Sequence, residues 1–224
     1  MIEYFNEDCM VGMARYPDKY FDLAIVDPPY GININHNMGR RKGDRPSDYK
    51  KAYWDNKSPS EDYFKELFRI TKNQIIWGGN HFISKFALDS SCWLMWDKKF
   101  SEDVSFAQYE LAWTSFSSTA KKFEMHPSDK HRIHPTQKPV ALYKWLLTNY
   151  AKQGDLILDT HVGSASSLIA CYDLGFSAVG FELDAEYYAA SKERLEQHMS
   201  QIRLDDLLPP DPVPEQIDMF GNQS

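Results

Sequence analysis

The segment GDLILDTHVGSASSLIACYDLGFSAVGFELD, Gly154–Asp184, decides how this chain folds. It reads as a strand, a turn containing glycine, a helix, a second strand and an acid, which is the βαβ grammar of nucleotide-binding α/β folds. In that grammar a small residue lets the backbone approach a ligand, and an acid after the second strand bonds ribose hydroxyls. Glu182 stands about 20 residues beyond Gly163, where that acid belongs. The full G-x-G-x-x-G pattern is absent, because Gly163 is followed by Ser164, Ala165 and Ser166. That leaves little provision for a pyrophosphate, so a ligand with adenosine but no phosphate fits better than a dinucleotide. Taken alone, HVGSAS also reads as a tight strand-to-helix turn and nothing more.

Outward from this unit the rhythm repeats. DLAIV, QIIW, CWLMW, YELAWTSF, DLILD and SAVGFE are short apolar runs, rich in β-branched and aromatic residues, that predict strands buried on both faces, and the opening IEYF is a further candidate. SEDYFKELFRIT, PVALYKWLLTNYA, SASSLIACYDLG and AEYYAASKERLEQHM predict helices, with Ser60 as the N-cap of the first and Phe64, Leu67 and Phe68 on its apolar face. Strands alternating with helices predict a parallel α/β sheet covered on both sides. Two segments break the rhythm: a polar, basic stretch from about Asn33 to Pro59, and an acidic, Pro-rich tail from about Asp205. Residues 1–204 are therefore expected to form one domain, with 31–60 as a basic loop, and 205–224 to extend from it.

One strand ends unusually. DLAIVDPPYGI, Asp22–Ile32, runs from buried-looking residues into an acid, two prolines and a tyrosine. A strand that merely turned a corner could use Gly or Asn and would not need a carboxylate and an aromatic ring three residues apart. The plainer alternative is that Asp27 caps a turn and Tyr30 packs on the core.

Bulk properties narrow the class. With 42% hydrophobic and 14% aromatic residues in 224, the chain can fill the core of one compact domain. No apolar run approaches the roughly 20 residues of a membrane span, and MIEYFNEDCM lacks the basic and apolar regions of a secretory signal, so a cytoplasmic address is expected. Cys9, Cys92 and Cys171 are scattered and odd in number, which argues against a disulfide framework or a metal site. A formal charge of −7 would disfavour nucleic acid if it were evenly spread. It is not: Arg40, Arg41, Lys42, Arg45, Lys50, Lys51 and Lys57 cluster in one stretch, and Ala120–Lys138 forms a second basic run, while the acids gather toward the C-terminus.

Taken together and in this order, DPPY, HPTQKP and LDTHVGSAS…GFELD resemble the β-class amino-methyltransferases of DNA, which depend on S-adenosylmethionine. The resemblance covers about residues 1–200, and WDN, QIIWGGNHF and RIHPTQKPVALYKWLL look like the short enzymes of phages and prophages. It implies a Rossmann-like methyltransferase fold with a seven-stranded, mostly parallel sheet, helices on both faces and circularly permuted motif order. It further implies methyl transfer to the exocyclic amine of adenine in double-stranded DNA, S-adenosylhomocysteine as the second product, no metal, and a phage or restriction-modification setting. A cytosine amino-methyltransferase of the same class, or a non-catalytic DNA- or clamp-binding module that keeps the fold, are the alternatives.

The site residues follow from the same resemblance. Asp27 and the Pro28 carbonyl would accept hydrogen bonds from the amine, whose lone pair is otherwise delocalised into the ring; Pro28 and Pro29 stiffen the turn, and Tyr30 stacks on an extruded base. Asp159, Gly163 and Ser164 match the motif around the methionine end of the cofactor, Glu182 the ribose acid, and Asp8 an acid near the cofactor adenine. His134, Thr136 and Lys138 match the motif lining the methionine pocket, with Lys138 placed to pair with the methionine carboxylate. The usual DPFxGSG is here DTHVGSA, with Thr160, His161 and Ala165 as departures that could weaken cofactor binding.

The target-recognition position of this class spans only Ser117–Ile133, too short for a separate domain. DNA binding is therefore expected to be shared among Arg40, Arg41, Lys42, Arg45, Lys121, Lys122, Lys130 and Arg132, with a homodimer partner able to contribute. QIDMF, Gln216–Phe220, resembles the pentapeptide by which bacterial proteins dock on the replicative sliding clamp.

Overall fold

The inner strands form where the chain can bury both of its faces. The computed structural model describes residues 1–32, 55, 57–100, 107–127 and 132–201. Within them lie β1 (Ile2–Asn6), β2 (Phe21–Val26), β3 (Thr71–Trp77), β4 (Leu94–Asp97), β5 (Tyr109–Thr114), β6 (Lys121–Glu124), β7 (Leu156–Asp159) and β8 (Ser177–Glu182). They form one sheet in the order β1-β8-β7-β2-β3-β5-β4-β6, parallel throughout except where β5 runs against both β3 and β4.

Alternate residues of the inner strands feed two cores. Leu23, Ile25, Ile75 and Trp77 pack on one face with Leu142 and Leu146 of α4 (Val140–Tyr150), Leu168 of α5 (Ser166–Asp173) and Leu195 of α6 (Ala185–Ser200). Ala24, Val26 and Ile76 pack on the other with Met13 of α1 (Cys9–Met13) and Tyr63, Phe64 and Leu67 of α2 (Glu61–Ile70). A short α3 (Ile83–Phe86) follows β3. Helices on both faces explain why these strands read as unbroken apolar runs rather than alternating ones. Helix α2 shows the local logic: Ser60 Oγ accepts from Tyr63 N, Glu61 and Asp62 sit in the first turn, Arg69 in the last, and Tyr63, Phe64, Leu67 and Ile70 are buried. Each such apolar side chain contributes about 1.5–3 kcal/mol on burial.

The sheet has eight strands, one more than the seven expected. The extra strand is β6, KKFE, whose charges hide it from any hydrophobic pattern. It lies at the sheet edge against β4, where one side stays in water and lysines are tolerated. It also falls inside the segment 117–133 proposed for target recognition.

The topology places ligands. From β2 the chain crosses to β3 on one side, and from β7 to β8 on the other, while β2 and β7 themselves are neighbours. The strand order thus reverses between β2 and β7, and the crevice beyond their carboxyl ends is the switch point where open α/β sheets bind ligands. Among the described residues no helix is long and apolar enough to cross a membrane, no His/Cys/Asp/Glu group could hold a metal, and the three cysteines are free. Arg40, Arg41, Lys42, Arg45, Lys130, the tail 205–224 and the Gln216–Phe220 peptide lie outside the described residues.

Candidate active site

Asp27 leaves the end of β2 directly at the switch point. Its two carboxylate oxygens have different partners: Tyr30 Oη donates to Oδ1 at 2.9 Å, and Lys138 Nζ donates to Oδ2 at 2.5 Å from 111 residues away. Two prolines between Asp27 and Tyr30 limit the turn's freedom. Beyond it, Gly31 N donates to the buried Asp55 at 2.9 Å. The Tyr30 ring stacks on His81, 5.1 Å between centroids and 18° from parallel, and meets Phe82 edge-on. Gly78, at φ +67°, lies so close that any Cβ there would land on the Tyr30 ring.

Behind this pair Lys138 meets Glu110, and Glu110 meets Lys98, two residues that sequence reading passed over. Lys138, 2% exposed, is 2.9 Å from Glu110 Oε2, and Glu110 Oε1 is 2.5 Å from Lys98 Nζ. Because β4 and β5 are antiparallel, the end of one and the start of the other bring Lys98 and Glu110 to the same sheet edge as Asp27. Burial pushes the Glu110 carboxyl up, but the Lys138 and Lys98 ammoniums outweigh it and hold it at about 2. For Asp27 burial is the larger effect and raises its pKa against the pull of Lys138. Burial lowers Lys138, but Asp27 and Glu110 overcome it and raise it above its usual range. These directions pull opposite ways on one contact. A charged ammonium and a phenol both donating to Asp27 make the ionised carboxylate the form that the geometry fits.

The second loop leaves β7. Asp159 Oδ2 accepts from Ser167 Oγ at 2.5 Å and Oδ1 from His161 N at 3.0 Å, while burial pushes its carboxyl up to about 7. Gly163, at φ +56°, donates its N–H to Glu182 Oε2 at 2.8 Å, and Asp184 N donates to Oε1 at 2.9 Å. Burial raises Glu182 against those hydrogen bonds. Ser164 is buried, with its hydroxyl 3.1 Å from that of Ser166 and its carbonyl accepting from Arg194 of α6 at 2.5 Å. Asp8 caps α1 by accepting from Met10 N at 2.7 Å. Asn6 Nδ2 donates to the carbonyl of Glu182 at 2.8 Å, tying the ends of β1 and β8 together.

The departures from the family motif satisfy one another. Thr160 Oγ1 lies 2.6 Å from Tyr63 Oη and 2.9 Å from His161 Nδ1, and the His161 ring meets Tyr63 edge-on at 5.5 Å. Burial holds His161 down at about 4, a neutral flat ring at neutral pH. Ala165 takes the left-handed conformation, φ +62°, that a glycine would adopt without strain.

HPTQKP joins the two loops. The His134 ring packs on Tyr187 at 4.4 Å, and a Cβ on Gly163 would lie 3.8 Å from it. Thr136 Oγ1 is 3.1 Å from His134 Nδ1, and burial, then the charges of Lys138 and Arg132, lowers His134 to about 4. His134 thus lies by the glycine turn, whereas Lys138 reaches Asp27. The resemblance implies a role for Lys138 at the methionine carboxylate; in the structure its ammonium pairs with Asp27 and Glu110, which supply the counter-ions a buried ammonium needs.

The other basic candidates within the described residues have partners of their own. Lys121 pairs in register with Leu94, at the far end of β4, and its ammonium stands 5.3 Å over the Tyr150 ring. Lys122 forms ion pairs with Glu124 and Asp97, and Arg132 donates to the carbonyls of Pro127 and Pro135, bracing its own loop. Of the overlooked residues, only Glu110 carried a signal, as a lone acid in the otherwise apolar YELAW.

The fold is that of the Rossmann-like methyltransferases. Residues align with M1.HpyAVI in its S-adenosylmethionine complex with a TM-score of 0.58 at 20% identity, covering 87% of this chain and 100% of that one. The PvuII cytosine-N4-specific DNA methyltransferase matches with a TM-score of 0.61 at 13% identity, over 88% of this chain and 90% of that one. The chain is 22% identical over 215 residues to "Putative methylase YubD" of Escherichia coli (strain K12), covering 87% of this chain and 90% of the relative. A family model described as DNA methylase matches residues 76–193, more than half of the chain, and the chain belongs to this N6/N4 DNA methylase family.

Proposed function

We propose that this protein transfers a methyl group from S-adenosylmethionine to the exocyclic amino group of adenine in DNA. The observation that carries the reading is the Asp27 carboxylate at the switch point. Each of its oxygens takes one donor from the protein and keeps acceptor capacity for an amine. Bound there, the amine would give its N–H groups to Asp27 and the Pro28 carbonyl, which localises the nitrogen lone pair toward the incoming methyl. Tyr30, braced by His81, supplies a ring for a base taken out of the stack. With the cofactor bound, the amine nitrogen would take the methyl group and release one proton to solvent, and S-adenosylmethionine would leave as S-adenosylhomocysteine. Catalysis is thus positioning and electrostatics.

The residues beside β7 and β8 suit the proposed cofactor. Among the described residues, Asp8, Asp159 and Glu182 form no ion pair with a cation, and Trp77, whose ring centroid lies 5.4 Å from Lys138 Nζ, has a buried Nε1 donor without a hydrogen-bond partner. Acids without fixed cations suit ribose hydroxyls and a sulfonium, not phosphates. S-adenosylmethionine supplies an electrophilic methyl group. Glu182 would hold the ribose hydroxyls, Gly163 would let the backbone approach, and His134 and Thr136 would line the methionine end. Phosphate contacts are assigned to Arg40, Arg41, Lys42 and Arg45.

Asp at position 27 is the argument for adenine, and the PvuII likeness keeps cytosine as the second reading. Transfer of labelled methyl to duplex DNA, followed by nucleoside analysis, is expected to yield N6-methyladenine with the native protein and none with Asp27→Ala. Label in cytosine would replace the first reading with the second; no label in any DNA would leave a non-catalytic module.

A further inference from the structure

Asp27 is one end of a row of alternating charge. Lys98, Glu110, Lys138 and Asp27 follow one another at 2.5, 2.9 and 2.5 Å, with side-chain exposures of 14, 20, 2 and 17%. The row crosses the sheet edge from the end of β4, over the start of β5 and the loop before α4, to the end of β2. A single buried ion pair would need two groups, and a paired ammonium left with one carboxylate would bind it at full strength. Here Lys138 is divided between two acids, and the second acid is itself divided between two ammoniums.

We propose that Lys138, Glu110 and Lys98 are positioning residues that set how strongly Asp27 accepts a hydrogen bond. Lys138 keeps the Asp27 carboxylate ionised, Glu110 draws part of the Lys138 charge away so that Asp27 is not its sole counter-ion, and Lys98 limits how much Glu110 draws. The other titratable groups facing Asp27 are Tyr30 on its own loop, Tyr63 of α2, Tyr143 of α4 and Asp159 of β7. Burial raises the three phenols well above their usual value, so they stay neutral across the working range. Asp159 acts on Asp27 equally in every variant below. The consequence for rate rests on the methyl-transfer reading; the consequence for Asp27 titration does not.

The alternation of sign makes the test specific. The full-length protein, labelled with 13C at aspartate carboxyl carbons, is titrated by NMR, with the Asp27 signal identified by its loss in Asp27→Asn. Lys138→Met is expected to raise the Asp27 midpoint by about one pH unit or more, a tenfold change in its proton affinity. Glu110→Gln is expected to lower it, Lys98→Met to raise it by less, and Lys138→Arg to leave it near the native value. Shifts of one sign in all variants, or none in Glu110→Gln and Lys98→Met, overturn the proposal, and those two decide it if Lys138→Met does not fold. Methyl transfer measured on the same proteins as a function of pH is expected to move its acid limb in the same order. Absence of transfer by the native protein would sink the proposed function alone, leaving the titration to judge the charge row.

Discussion

Asp27 and Glu182 stand at the same edge of the same sheet, yet they are held in opposite ways. Asp27 is held by side chains, one of them 111 residues distant, within a buried row of charges. Glu182 is held by two backbone N–H groups, those of Gly163 and Asp184, within its own βαβ unit. Backbone donors are fixed by the fold and cannot titrate; side-chain donors can be mistuned by a single substitution in another element. The site proposed for chemistry therefore depends on distant residues, whereas the site proposed for cofactor binding is nearly self-contained.

The largest break in this contrast is expected at Gly78. Its φ of +67° and its contact with Tyr30 leave no space for a side chain. Gly78→Ala should displace the Tyr30 ring, remove its hydroxyl from Asp27 and lower methyl transfer by about 100-fold, since an ångström of misplacement has effects of that size. Cofactor affinity, measured by calorimetry, should stay within about threefold, because Glu182 is held by the Gly163 and Asp184 backbone and not by Tyr30. An equal loss of affinity would show that the two sites are not separable.

Glu182→Gln probes the other side. The amide keeps one acceptor but turns an N–H toward a backbone N–H, so one of the two bonds to Gly163 and Asp184 is lost along with the charge. Hydrogen bonds to charged groups contribute about 1.5–3 kcal/mol, so affinity for S-adenosylmethionine should fall about tenfold or more. The Asp27 midpoint in the NMR titration should not move. A shift there would mean that the backbone-held acid also tunes the side-chain-held one.

The same contrast explains what could be read in advance. The strands β1 to β5, β7 and β8 and the helices α2, α4, α5 and α6 announce themselves, because burial on two faces writes unbroken apolar runs and amphipathic periods into the sequence. The spacing of Gly163 and Glu182 is legible because both belong to one local unit of fixed length; that the Gly163 N–H bonds to Glu182 is seen only in the structure. Strand β6 is not legible: an edge strand is defined by its neighbour's unpaired backbone groups, and KKFE has no apolar pattern to show. Nor is the Lys138 partnership, which exists only because the antiparallel β4 and β5 return Glu110 to the edge where β2 ends. Spacing along a chain reports local geometry, and it is silent about which elements a topology brings together.

The smallest expected effect tests whether the turn after β7 also has a titrating weak point. His161 is held at about 4 by burial, below the roughly 6.5 of an unfolded histidine. A depressed histidine favours the folded state above the unfolded value, and that contribution is lost as pH falls from about 6.5 through about 4. Asp159, raised to about 7 by burial, works the other way: its contribution is present at low pH and lost as pH rises through about 7. His161→Phe keeps a flat ring against Tyr63 and removes only the first of these slopes, at the expense of the Thr160 hydrogen bond. Denaturant unfolding should therefore show the variant gaining on the native protein by on the order of 1–2 kcal/mol between about pH 7 and pH 5. Parallel pH profiles for the two proteins would mean that His161 keeps its proton in the fold, and that the turn has an acceptor for it beyond Thr160.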